Sequence, residues 1–292
     1  MTRRSQFLGY LFLFPALLFF ALFSWYPILR GFLISFQKFP IRADMPPSFV
    51  GFENFHDIWT NPLFWLAWKN VLLFVILALV IGYFTPIILA ITMNETRHAR
   101  SFFRISYYLP AILPIVVTAI MWRWFYNPDV GLANQVLGLF HIPKLQLLQS
   151  ERTALASLVV MATWTGAGST ALIYLAGLQG LPEELYEAAE IDGASIFQRI
   201  RFITIPQMSS VMLIILLLQL IGTFQVFTEP LIMTAGGGPN NATLTILLLI
   251  YRTAFIYVDF GTAAAMSLVL FIALLVLTLI YFKVTKRFEM ET

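Results

Sequence analysis

Six apolar runs constrain this chain more than anything else in it. They lie near residues 10–29, 71–93, 105–126, 154–178, 208–228 and 262–282. Each reaches the ~20 residues that cross the hydrocarbon core of a bilayer. Lipid offers no water to backbone N–H and C=O groups, so a spanning segment must satisfy its own hydrogen bonds and is predicted to be helical. Only 11% of the 292 residues are charged, against roughly 25% in soluble domains. The expected fold class is all-α integral membrane, a single transmembrane domain over residues 1–292. The first run follows Arg3 and Arg4, as the core of a signal peptide would. It exceeds the ~7–15 residues of such a core and no small-x-small cleavage site follows, so a retained helix is expected.

Basic residues divide unevenly between the two sides that successive spans define. Arg3, Arg4, Arg97, Arg100, Arg104, Arg199, Arg201, Lys283, Lys286 and Arg287 share one side, in short segments. Lys38, Arg42, Lys69, Lys144, Arg152 and Arg252 lie in longer loops on the other, with Arg30 and Arg123 near helix ends there. The positive-inside rule then puts both termini and segment 179–206 in the cytoplasm. The net charge of +3 follows from this topology and says little about partners. The chain has no cysteine, which excludes a disulfide, a thiol nucleophile and a Cys-based metal site.

Segment 179–206 is more than a connection. From Glu184 it reads Glu-Leu-Tyr-Glu-Ala-Ala-Glu-Ile-Asp-Gly-Ala-Ser, polar and acidic between two apolar runs. Pro182 suits the first turn of a helix, where its missing N–H costs nothing. Glu183, Glu184 and Glu187 place negative charge where the helix dipole favours it. Gly193 is placed to end the helix in a left-handed residue, and Ser195 with Gln198 forms a capping-box start for a second helix. Small Ala188, Ala189 and Ala194 permit close approach by another surface. A DNA-reading helix pair would need bases to meet phosphates, but Glu183, Glu184, Glu187, Glu190 and Asp192 outnumber Arg199 and Arg201. No nucleic-acid partner is expected.

The order Glu187-Ala188-Ala189, three residues, Gly193, nine residues, Ile203, one residue, Ile205-Pro206 resembles the signature loop of bacterial ABC importer membrane subunits. Ile205 stands where that pattern has Leu. The resemblance extends over nearly the whole chain and is to the branch handling di- and oligosaccharides and glycerol phosphate. It is carried by Tyr26-Pro27, Phe52-Glu53-Asn54-Phe55 and Trp122 to Pro128, among other stretches. Gly236-Gly237-Gly238-Pro239 and Tyr251-Arg252-Thr253-Ala254-Phe255 resemble the first of the two permease subunits such importers contain. The resemblance implies the type I ABC importer permease fold, six transmembrane helices with 179–206 as a cytoplasmic coupling-helix loop. It implies that Glu187, Ala188, Ala189, Asp192, Gly193, Ala194, Ile203 and Pro206 meet an ATPase. The implied partners are a second homologous permease, two ATPase subunits and an extracytoplasmic solute-binding protein, acting on a carbohydrate across a prokaryotic cell membrane.

Other motifs are weaker. A phosphate-binding loop needs Gly, four residues, Gly-Lys and Ser or Thr, and no Gly-Lys pair occurs in the chain. Gly236 to Gly238 therefore read as a loop with unusual backbone angles. ATP and Mg are expected on separate ATPase subunits, with no cofactor in this chain. His56, His98 and His141 are scattered through loops without metal-ligand spacing. No Gly-x-Ser-x-Gly elbow is present. A membrane-embedded transferase would show acidic metal-binding clusters, and the one acidic cluster is the Glu187 loop. A passive channel has no need of that loop.

Polar residues within apolar spans tend to face a bundle interior or cavity. The fourth run holds Trp164, Thr165, Gly166, Gly168, Ser169 and Thr170; the fifth holds Gln219, Gly222, Thr223 and Gln225. A saccharide site needs hydrogen-bonding groups and an aromatic face. Close helix packing uses Gly, Ser and Thr as well, and is favoured for Thr165, Gly168 and Thr170. Both readings stay open for Trp164, Gly166, Ser169, Thr223 and Gln225. In maltose-type relatives the sugar site falls at positions matching Gly166, Ser169, Gly222, Thr223 and Val226. Their third-helix contribution falls near Ala111 and Ile115, which carry no polar group here.

Overall fold

The computed structural model describes residues 3–40, 46–95 and 100–289. Arg42, Arg97, His98 and both chain ends lie outside them. Seven helices are the main elements up to Phe224. They are α1 (Phe12–Ile34), α2 (Pro62–Glu95), α3 (Arg100–Ile112), α4 (Ile115–Phe125), α5 (Ala154–Gln179), α6 (Glu183–Ile191) and α7 (Ser209–Phe224). A last helix, α8, covers Phe260–Glu289. Among the described residues five helices are long and apolar enough to span a bilayer, and six if α3 and α4 count as one.

The straight span expected over 105–126 is the main departure. α3 and α4 meet at 99°. Pro114 caps α4 with ψ 130; it brings no N–H and its ring pushes Leu113 out of the helical region. The other ends move less. The second span starts at Pro62 instead of 71, and the fifth continues through a short break to Met233. His56 lies on the helix Glu53–Thr60 and not in a loop.

Prolines also explain three of the four places where the described helices widen; the fourth, Arg252–Ile256, has no proline after it. Wide five-residue-type turns cover Ala21–Trp25, Ala78–Tyr83 and Ile200–Thr204. Each contains the residue four places before a proline: Phe23 before Pro27, Gly82 before Pro86, Phe202 before Pro206. A proline cannot donate to that carbonyl and its ring collides with it, so the turn opens.

Contacts divide the chain into two compact units, Met1–Trp65 with Leu249–Ala273, and Leu66–Leu248 with Leu274–Thr292. In the first, a two-residue antiparallel ladder pairs Gln37 with Phe49 and Lys38 with Ser48. Buried Asn54 donates to the carbonyls of Ser35 (2.9 Å) and Gln37 (3.0 Å). The same Gln37 carbonyl occupies the space a Cβ on Gly261 would need. Lys38 pairs with Glu53 at 2.8 Å on the surface.

The second unit holds most of α2 and all of α3 to α7. Its core joins Ala90 and Met93 of α2, Ala171, Tyr174, Leu175 and Leu178 of α5, and Met208 with Ile215 at the start of α7. Polar groups lace α7 to α2: Gln219 donates to the Ala78 carbonyl (2.8 Å) and Tyr83 to the Met212 carbonyl (3.0 Å). Asn70 donates to the carbonyls of Asn241 and Leu244, which holds the segment after the glycine loop against α2.

Candidate functional site

Two features of the second unit carry chemistry, and α5 and α7 connect them. The first is the loop between those helices. α6 opens after Pro182, which is the cap residue with ψ 122 and so stands one place before the first turn. Glu183 and Glu184 fill that turn. At the other end Gly193 has φ +78, the left-handed region. Ala194 N–H donates to the Ala189 carbonyl (2.8 Å) and Gly193 N–H to the Glu190 carbonyl (3.0 Å). These are the two bonds of a Schellman cap, which satisfies the last carbonyls of the helix. Ser195 then starts the four-residue helix Ile196–Arg199: its hydroxyl accepts from Gln198 N–H, and Gln198 Oε1 accepts from Ser195 N–H at 2.7 Å.

The bend is cross-braced. Arg199 pairs with Glu190, and the hydroxyls of Tyr186 and Thr204 meet at 2.9 Å. Glu187, Ala188, Asp192, Gly193 and Pro206 are exposed, while Ala189, Ala194 and Ile203 are half-buried. Ile191 is 87% exposed and Phe197 75% exposed, so the bend presents apolar side chains beside its acids. A cleft of about 420 Å³ lies alongside, walled by Glu95, Glu183, Tyr186, Glu187, Glu190 and Arg199.

The second feature is a cavity of about 530 Å³. α2 contributes Phe74, Ala78 and Gly82; α5 contributes Thr163, Gly166 and Thr170; α7 contributes Gln219, Gly222 and Thr223. The break after α7 adds Gln225, Val226 and Phe227, and the helix Thr228–Met233 that follows adds Thr228 and Glu229. A Cβ on Gly166 or Gly222 would meet nothing within 4 Å, so the missing side chains leave open volume. Thr223 donates its hydroxyl proton to the Gln219 carbonyl, which leaves its oxygen lone pairs as acceptors. The lining is thus mostly apolar with a few hydroxyls and amides, the make-up of a small-molecule site.

Five of the path residues expected from sequence meet here: Gly166, Gly222, Thr223, Gln225 and Val226. Trp164 and Ser169 are not in the lining. Trp164 stands edge-on to Trp122 with ring centroids 5.6 Å apart, and Ser169 donates to the Gly166 carbonyl at 2.9 Å. Ile115 lines the cavity but Ala111 does not. Gly168, read as a packing residue, lies against the backbone of Tyr107. Sequence reasoning missed the α2 wall and Glu229. Nothing local marks an apolar helix face as a cavity wall, and Glu229 lay one residue past the expected end of its span.

The break that carries Gln225 and Val226 is held open from outside. Buried Thr245 donates its hydroxyl to the Val226 carbonyl at 2.8 Å. Thr245→Val keeps the shape and removes the donor, leaving a buried carbonyl unsatisfied at a cost of ~1–3 kcal/mol. The expected result is a lower melting temperature of the purified complex together with slower transport, both restored by Thr245→Ser. An unchanged melting temperature for Thr245→Val would remove Thr245 from this role.

The family model described as "Binding-protein-dependent transport system inner membrane component" matches residues 82–290, which takes in the bend and the cavity lining apart from Phe74 and Ala78. The chain belongs to this family. A probable ABC transporter permease protein of Bacillus subtilis, YurN, is 34% identical over the full length of both chains. The arabinooligosaccharides transport system permease protein AraP of the same species is 33% identical, over 97% of this chain and 90% of its own. The fold matches that of a bacterial ABC transporter involved in the import of the acidic polysaccharide alginate. The TM-score is 0.85 at 25% identity, covering 97% of this chain and 96% of that one. As a member of the transport-system family, the chain is a multi-pass membrane permease.

Proposed function

We propose that this chain is one of two permease subunits of an ATP-driven carbohydrate importer, and that segment 179–206 couples it to a separate ATPase. The observation that carries the reading is connectivity. α5 and α7 wall the cavity, and the braced bend is the direct link between them. A push on the bend therefore reaches two cavity walls at once. Closure of the two ATPase subunits would shift Glu187, Asp192 and the exposed Ile191 and Phe197. The attached helices would then switch the cavity between inward and outward access. A carbohydrate suits the cavity because hydroxyl, amide and carboxylate groups stand among apolar walls, and because relatives carry saccharides. An extracytoplasmic binding protein would deliver it, with both termini and the bend in the cytoplasm of a prokaryotic cell. ATP and Mg would sit on the ATPase subunits.

The test is purification from native membranes through a tag on this chain. An ATPase subunit and a second permease should come with it, and the assembly in proteoliposomes should take up saccharide only with ATP. The isolated chain should bind no nucleotide. Stoichiometric ATP binding by this chain alone, or ATP-independent flux, would overturn the reading in favour of an enzyme or a passive channel.

A further inference from the structure

Glu229 stands in the first turn of the helix Thr228–Met233, half-buried, and lines the cavity beside Gln225 and Thr228. Among the described residues that line this cavity it alone is ionisable. It forms no ion pair with a basic side chain among the described residues. A carboxylate in this place does two things. Its two oxygens accept hydrogen bonds from saccharide hydroxyls. It also repels any second anion brought into the same space, because the apolar walls screen charge far less than water does.

We propose that Glu229 sets the charge preference of the cavity: it admits neutral saccharides and turns away acidic or phosphorylated ones. This rests on the carbohydrate reading above and narrows it. The carboxylate does not transfer a proton or form a bond to the substrate. It holds hydroxyls by accepting their hydrogen bonds, and a uronate at the same point meets a like charge with no cation among the lining residues to offset it. The polar remainder of the lining does not discriminate by charge, since Thr163, Thr170, Gln219, Thr223, Gln225 and Thr228 are all neutral. A cavity of this kind differs in its demands from one suited to an acidic polysaccharide such as that carried by the alginate importer.

The test uses the whole importer in lipid nanodiscs, without binding protein, so that only the cavity selects. Calorimetric titrations compare neutral arabinotriose with anionic trigalacturonate. Two unit charges ~5 Å apart at an effective dielectric constant of ~20 would discriminate by roughly two- to three-hundredfold, and screening by salt and cavity water brings this toward tenfold. The wild type should prefer arabinotriose by about tenfold or more. Glu229→Gln, which keeps size and shape but accepts weaker hydrogen bonds, should weaken arabinotriose binding up to about tenfold and bring trigalacturonate to within about threefold of it. Glu229→Lys should reverse the preference. Equal binding of the two probes by the wild type, or unchanged discrimination in Glu229→Gln, overturns the filter and leaves the carbohydrate reading standing. Absence of binding by either probe to any of the three proteins removes both together.

Discussion

Gly168→Leu should abolish recovery of an assembled complex, and Gly168→Ala should lower its melting temperature sharply. A Cβ at this position would sit on the carbonyl oxygen of Tyr107, with Tyr108 N–H close behind. Those are backbone atoms of α3, which no rotamer change can move aside. The pair must separate or the helix must shift, and even one added methyl in a packed interior costs ~1–3 kcal/mol. The expectation follows from how membrane helices associate. Lipid tails are as apolar as the helix surface, so close backbone approach at small residues supplies the packing that a hydrophobic drive supplies in water. Gly166 is the control. It lies two residues earlier on α5 and faces open cavity, with nothing within 4 Å of the place an added methyl would take. Gly166→Ala should leave the melting temperature unchanged. Thermal unfolding followed by size-exclusion of all three variants decides the matter. Normal assembly of Gly168→Leu would mean that α3 and α5 do not meet as described.

Signals that are local in the chain were legible; those that depend on tertiary neighbours were not. The bend of 179–206 could be read residue by residue, because a left-handed glycine, a capping pair and acids in a first turn act within a few positions of one another. Pro182 fell one place off because the cap position and the first turn alike leave the backbone N–H without an intrahelical partner, so a proline suits either. The spans were legible from apolar length alone. The 99° break between α3 and α4 was not, although Pro114 carried the signal, because a hydropathy run averages over a proline. Trp164 shows the limit of reading chemistry from type. A tryptophan among glycines and threonines suits a sugar face, but its neighbour is Trp122, more than 40 positions away in sequence, which no local pattern reveals. Glu229 is the converse case. Glu229 followed by Pro230 ends the apolar run, so the residue looked like the close of a span, and only the folded chain turns it into the cavity.

Gly193→Val should give a complex that assembles but no longer couples ATP hydrolysis to uptake. Gly193 has φ +78, and a Cβ there would meet no neighbouring atom within 4 Å. The penalty is therefore carried by the residue's own backbone, ~1–2 kcal/mol for an ordinary side chain in the left-handed region and more for a β-branched one. Valine escapes it by leaving that region. Doing so breaks the two cap bonds, Ala194 to Ala189 and Gly193 to Glu190, and re-aims the helix that Ser195 starts. Glu190 and Arg199 then separate, and the brace between the two short helices is lost. The rest of the second unit keeps its packing, because Gly193 is exposed. Asparagine tolerates the left-handed region better than other residues with a Cβ, so uptake in proteoliposomes should fall in the order Gly193→Asn, Gly193→Ala, Gly193→Val. The last is expected to be at least about tenfold below the wild type, against a conformational cost of more than ~1.4 kcal/mol per tenfold. ATP hydrolysis and the melting temperature of the complex should fall much less than uptake. A parallel loss of all three would assign Gly193 to folding alone, and wild-type uptake by Gly193→Val would show that the bend angle does not matter to transport.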